Sequence, residues 1–122
     1  MSDIDFHTFN KIKERMKSKF PILLGGYLSD AKKYQDRIRA NIPSGDINDL
    51  IEAVHSFKSA SGLLGLINVH LAAQTLEYAG KGLKEKGESN FESLGALYDE
   101  LNNAFSTVED ILNSELDKSK EA

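Results

Sequence analysis

Ile47-Asn48-Asp49-Leu50-Ile51-Glu52-Ala53-Val54-His55-Ser56-Phe57-Lys58-Ser59-Ala60-Ser61-Gly62-Leu63-Leu64 is the stretch that decides the fold. Ile47, Leu50, Ile51, Val54, Phe57, Ser61 and Leu64 recur at the three-and-four spacing of one buried helix face, with polar side chains between them. Asp46 precedes the run and can cap it, because its carboxylate accepts the unpaired amides of the first turn. Pro43-Ser44-Gly45 separates this helix from what comes before.

The same period governs the flanks. A short helix is predicted from Asp5 to about Lys17, with Phe6, Phe9, Ile12 and Met16 on one stripe. Ser18 reads as a cap, and Pro21 falls in the first turn of a second helix carrying Leu24, Leu28, Tyr34 and Ile38. After a break near Ile67-Asn68, a fourth helix turns Ala72, Ala73, Leu76, Ala79 and Leu83 inward and stops at Lys86-Gly87-Glu88. Ser89-Asn90-Phe91-Glu92 has capping-box spacing and opens a fifth helix, striped by Leu94, Leu97, Tyr98, Leu101, Phe105, Val108 and Leu112. The charged tail from Ser114 to Ala122 is expected to fray. Long amphipathic helices with short connections imply antiparallel neighbours. The expected fold is therefore all-α, an up-down-up-down antiparallel four-helix bundle with a short additional N-terminal helix.

Composition narrows the function. With 40% apolar and 28% charged residues, 122 residues suit one globular domain. The net charge of -4 argues against generic nucleic-acid binding, which needs a basic surface. The absence of cysteine excludes disulfides, zinc–cysteine sites and thiol catalysis. No apolar run approaches the ~20 residues of a membrane span. The acidic start Met1-Ser2-Asp3-Ile4-Asp5 lacks a signal peptide's apolar stretch. A cytoplasmic protein, monomeric by default, is expected; it either begins at its own start codon or is an excised domain given a new Met. The three histidines lack metal-ligand spacing, and Leu24-Gly25-Gly26 lacks the lysine and strand of a P-loop. No ATP site and no resident metal are expected.

His55 sits one position past the stripe residue Val54, on a neighbouring stripe with Lys58, Ser59 and Gly62, with Gly65 one turn on. Each glycine costs about 1 kcal/mol relative to alanine in a helix, and small residues there would leave the imidazole uncovered. A nucleophilic imidazole needs one free ring nitrogen, an acceptor that fixes the proton on the other, and a nearby cation. Lys58 can be that cation. Glu77, one position past Leu76, is placed to be the acceptor, with Gln74 and Lys81 one turn to either side. Spacing alone leaves a rival account open: a structural histidine, a small-residue stripe that permits tight helix packing, and an ordinary Glu77–Lys81 surface pair. His70, at the start of the fourth helix, lacks such flanks and reads as a surface or terminus residue, and His7 in the first helix reads as solvated.

Val54-His55-Ser56-Phe57-Lys58-Ser59-Ala60-Ser61-Gly62-Leu63-Leu64-Gly65 closely resembles the signature of histidine-containing phosphotransfer (HPt) domains. That signature runs His, any residue, an apolar residue, Lys, a small residue that is usually Gly, further small residues and a closing Gly. Leu71-Ala72-Ala73-Gln74-Thr75-Leu76-Glu77 looks like the family's next helix, and the resemblance runs from about Phe20 to Leu112. It implies a single domain over residues 1–122. It implies that His55 is the phosphoacceptor, that Lys58 attends the phosphoryl group, and that Glu77 orients the ring, with Gln74 and Lys81 flanking. Ser59 and Gly62 would govern access; Ser59 departs from the usual Gly.

The implied function is a phosphorelay intermediate of two-component signalling. It would take a phosphoryl group from a receiver-domain aspartate and pass it to another receiver. It would be a phosphocarrier and not an enzyme, with no cofactor of its own; Mg²⁺ would arrive with the receiver. The implied partners are the receiver domains of a hybrid histidine kinase and of a downstream regulator. Alternatives are a non-catalytic bundle of the same shape, or the detached phosphoacceptor domain of a chemotaxis-type kinase. Docking would need an apolar patch, for which Phe6, Phe9 and Ile12 are candidates where they are not core.

Overall fold

The computed structural model describes residues 3–121, and Met1, Ser2 and Ala122 lie outside the described residues. The helices are α1 (Phe6–Met16), α2 (Phe20–Ala40), α3 (Ile47–Leu63), α4 (Ile67–Glu85) and α5 (Gly95–Glu121). α2 packs on α3, α3 on α4, α4 on α5 and α5 back on α2, which closes a four-helix bundle; α1 lies against α2. No described helix is long and apolar enough to cross a membrane.

α3 forms where its stripe predicts. Asp46 accepts from the amides of Asn48 at 2.9 Å and Asp49 at 3.2 Å, so two of the helix's orphan donors are satisfied. Asn41 braces this cap: its Oδ1 accepts from the Asp46 amide at 2.8 Å, while its Nδ2 donates to Asp49 Oδ2 at 3.0 Å. Leu50, Ala53, Val54 and Phe57 are fully buried. Ser61 is buried as well and is satisfied by the Tyr27 hydroxyl at 2.7 Å. The rings of Phe57, Tyr27, Tyr34 and Phe105 meet at centroid distances between 5.7 and 6.4 Å at the centre of the bundle.

Four local expectations are corrected. Ser18 does not cap α2; it lies in a 3₁₀ turn, Lys17–Lys19, that runs straight into α2, so no bare helix start remains for a hydroxyl to cap. The α3–α4 break falls at Leu64–Leu66 and not at Ile67-Asn68, because Gly65 takes φ +77° and the Leu66 amide returns to the Ser61 carbonyl at 2.9 Å. The Ser89–Glu92 capping box does not form. Phe91 is buried with its amide on the Pro43 carbonyl, Asn90 Oδ1 accepts from the Glu92 amide at 2.9 Å, and a 3₁₀ turn over Glu92–Leu94 delays α5 to Gly95. The tail from Ser114 does not fray within the described residues. α5 continues to Glu121, with Leu116 against the core and Glu115 paired to Lys13 of α1 at 3.1 Å.

The start of the chain is tied to the α3–α4 corner. The Asp5 amide donates to the Gly65 carbonyl at 2.7 Å and the Ile67 amide to the Asp3 carbonyl at 3.1 Å, which makes an isolated bridge between Ile4 and Leu66. Of the three apolar α1 residues that could have formed a docking patch, Phe9 is core, Ile12 is half-buried and Phe6 is 45% exposed.

Candidate functional site

α3 and α4 pack closely enough that a side chain at the edge of one meets its counterpart on the other. His55 projects from the outer edge of α3, its side chain 60% exposed. Glu77 projects from α4 into the same seam and is only 3% exposed. His55 Nδ1 lies 2.8 Å from Glu77 Oε2. Lys58 Nζ donates to Glu77 Oε1 at 2.6 Å, and Lys81 Nζ lies 3.4 Å from Oε2. One buried carboxylate therefore ties together three of the residues the sequence singled out.

The electrostatics follow from that geometry. Burial by itself would push the Glu77 carboxyl up. The hydrogen bonds from Lys58 and His55, the Lys58 charge and the Lys81 contact outweigh it and hold the carboxyl down at about 2. Glu77 is thus ionised and can only accept, so the bond to His55 requires the proton on Nδ1. The neutral ring then carries its lone pair on Nε2, the nitrogen that no described residue engages. Two lysines against one carboxylate leave a local surplus of positive charge beside that nitrogen.

A depressed carboxyl stabilises the fold above its ordinary value and loses that contribution on acidification. For Glu77 the contribution is present above pH 4.5 and is lost as the pH falls through about 2. Thermal unfolding followed by circular dichroism is expected to show a falling midpoint across that window. Glu77→Gln should flatten this part of the profile, and an unchanged profile in the variant would mean that other carboxylates dominate it.

The remaining candidates are placed less centrally. Ser59 is exposed, one turn along α3 from His55. Gln74 is half-buried and hydrogen-bonds neither His55 nor Glu77. Gly62 has a close neighbour that the sequence reading did not name. A Cβ there would come 2.8 Å from Nδ1 of His70, whose ring is seated on that glycine. His70 lies in the first turn of α4, as a terminus residue would. It is half-buried with Nδ1 3.0 Å from the Lys58 carbonyl. Nothing in the spacing of 62 and 70 announces this, because the two positions meet only once the α3–α4 corner has its shape. His7 is exposed, as read from the sequence.

The site is thus a helix histidine with one nitrogen on a buried carboxylate and the other open to solvent, on the side of a closed four-helix bundle. The family model of the Hpt domain matches residues 22–111, and the chain belongs to the Hpt domain family, whose role is histidine phosphotransfer in phosphorelays. No curated protein sequence matches it. Among solved structures it is similar to histidine-containing phosphotransfer protein B from Pseudomonas aeruginosa PAO1. That likeness has 21% identity and a TM-score of 0.84 over 95% of this chain and 96% of that one. It is also similar to a rice protein assigned as a histidine-containing phosphotransfer protein, with 14% identity and a TM-score of 0.79 over 98% of this chain and 84% of that one. At these identities the two structures establish the shared fold.

Proposed function

We propose that the chain accepts a phosphoryl group on His55 Nε2 from the phosphorylated aspartate of one receiver domain and passes it to the aspartate of another. The observation that carries this is the 2.8 Å contact of Nδ1 with Glu77, which leaves Nε2 of a 60% exposed ring as the free nucleophile. In the forward step the Nε2 lone pair attacks phosphorus. A P–N bond forms, the P–O bond to the aspartate breaks, and the carboxylate leaves. No proton has to move: Nδ1 keeps its hydrogen, and the positive charge that develops on the ring faces the Glu77 carboxylate. The reverse sequence, with a second receiver, empties the site.

Lys81 is more than half exposed and its contact to Glu77 is the looser of the two lysine contacts, so it can turn towards the phosphoryl oxygens at small cost. Lys58 is tighter and less exposed, and its first task is to keep Glu77 ionised and in place. The chain acts as a carrier and brings positioning and charge to the reaction. The Mg²⁺ used in such transfers is expected on the receiver's side, so this chain needs no cofactor of its own. A receiver of a hybrid histidine kinase as donor and a downstream regulator as acceptor fit this reading.

The test is transfer from receiver domains phosphorylated with acetyl phosphate, with acid-labile label on the chain as readout. Glu77→Ala is expected to slow transfer on the order of 10- to 100-fold, the cost usual for removing a carboxylate that holds a functional imidazole. Lys58→Ala is expected to slow it further, since it leaves Glu77 buried without its closest cation. Rates equal to wild type in both variants would remove the roles given to these residues.

A further inference from the structure

A second histidine stands beside the phosphoacceptor, and the transfer chemistry makes no use of it. His70 lies in the first turn of α4 with Nδ1 3.0 Å from the Lys58 carbonyl. A carbonyl only accepts, so Nδ1 carries the proton and Nε2 of the neutral ring is a lone-pair acceptor. No described residue hydrogen-bonds Nε2. The ring is held in place, because it rests on the bare backbone of Gly62.

The ring also lines a groove of about 550 Å³ together with Ser59, which lies one helical turn from His55. Ser59 lies at the groove's near end, and Leu63 and Leu71, which are 60% and 51% exposed, form its apolar sides. Asp5 and Thr8 close the far end, with the Thr8 hydroxyl already donating to the Asp5 carboxylate at 2.9 Å. Among the side chains lining the groove, His70 Nε2 and the Ser59 hydroxyl are the polar groups beside the exposed leucines that no described residue hydrogen-bonds, while Asp5 and Thr8 bond each other.

Distance puts this groove under any receiver that reaches His55. Seven residues of helix separate His55 from Gly62, a rise of roughly 10 Å. A standard interface covers about 800 Å² on each partner, a disc of roughly 16 Å radius. We infer that His70 is a specificity-determining residue of this face: its Nε2 accepts a hydrogen bond from a hydroxyl, amide or cationic side chain of the receiver. It would thereby favour receivers that place a donor there over those that place an apolar group. The inference rests on the receiver-to-receiver reading above. A receiver without the donor buries an unpaired nitrogen, which should weaken its docking about tenfold.

The experiment uses the full chain and its His70→Asn variant against a panel of receiver domains phosphorylated with acetyl phosphate. Asparagine can keep an amide donor for the Lys58 carbonyl but has no counterpart of Nε2. For receivers that wild type prefers, the half-saturating concentration is expected to rise five- to fiftyfold. For the others, which no longer bury an unpaired nitrogen, it should fall by up to about tenfold, and the rate at saturation should change little throughout. Circular dichroism and labelling by phosphoramidate, a small donor that needs no docking, report whether the variant keeps its fold and its acceptor. A uniform shift across the panel, a change in saturating rate alone, or no change would overturn the inference. The first two would make His70 a support for the α3 backbone at Lys58. If wild type takes phosphate from phosphoramidate but from no receiver, the receiver reading fails and this inference falls with it. Labelling by receivers with a flat His70→Asn response sinks only the inference.

Discussion

Replacing His55 by glutamine is expected to abolish acid-labile phosphorylation of the chain, by at least about a thousandfold, while the bundle stays folded. The amide of glutamine retains hydrogen-bonding capacity towards Glu77 but has no ring nitrogen to attack phosphorus. The stability cost should stay within about 0.5 kcal/mol, because the side chain it replaces is 60% exposed and glutamine is a good helix former. The measurement is label uptake from phosphorylated receivers, with far-UV circular dichroism on the same samples. Undiminished uptake would move the acceptor elsewhere, with His70 the first position to test.

Phe57→Ala is expected to be the most damaging single truncation for stability, at about 3–5 kcal/mol. Phe57 is fully buried and meets Tyr27, Tyr34 and Phe105. Removing its ring opens a void bordered by side chains of α2 and α5, which cannot close without moving those helices. A chain of this length should lose on the order of 10–20 °C of melting temperature. Urea unfolding gives the free energy directly; a loss below about 1.5 kcal/mol would show that the aromatic cluster is not where the bundle is held together. Phe57 lies two residues from His55 and faces the other way. Core and site thus share one helix without sharing a side.

The helix stripes were readable because they are local and periodic. Phe57, Leu76 and Phe105 announce themselves by neighbours three and four residues away. Asp46 and Gly87 were readable for the same reason, since caps act within a turn; Gly87 does take φ +68° at the end of α4. Ser89 misled because capping-box spacing says nothing of Phe91, whose amide is claimed by a carbonyl 48 positions earlier. The tail misled because its composition is that of solvent, while Glu115 finds Lys13 and Leu116 finds the core.

At the site, family resemblance selected His55 and Glu77, and the fold brings them to 2.8 Å. What lay beyond the sequence was the sharing of Glu77. The family resemblance gives Lys58 the phosphoryl group to attend, and the fold also places its ammonium on that carboxylate. The sequence supplies the residues of such a contact but not their rotamers.

The seating of His70 on Gly62 also constrains how this chain can change over generations. A methyl group at position 62 would meet the ring at 2.8 Å, and moving the ring would break its bond to the Lys58 carbonyl. Alanine at 62 therefore displaces the His70 ring at the cost of that bond, whereas a smaller residue at 70 merely leaves a gap. The two positions are epistatic, and only one order of substitution keeps every ancestor along the path well packed.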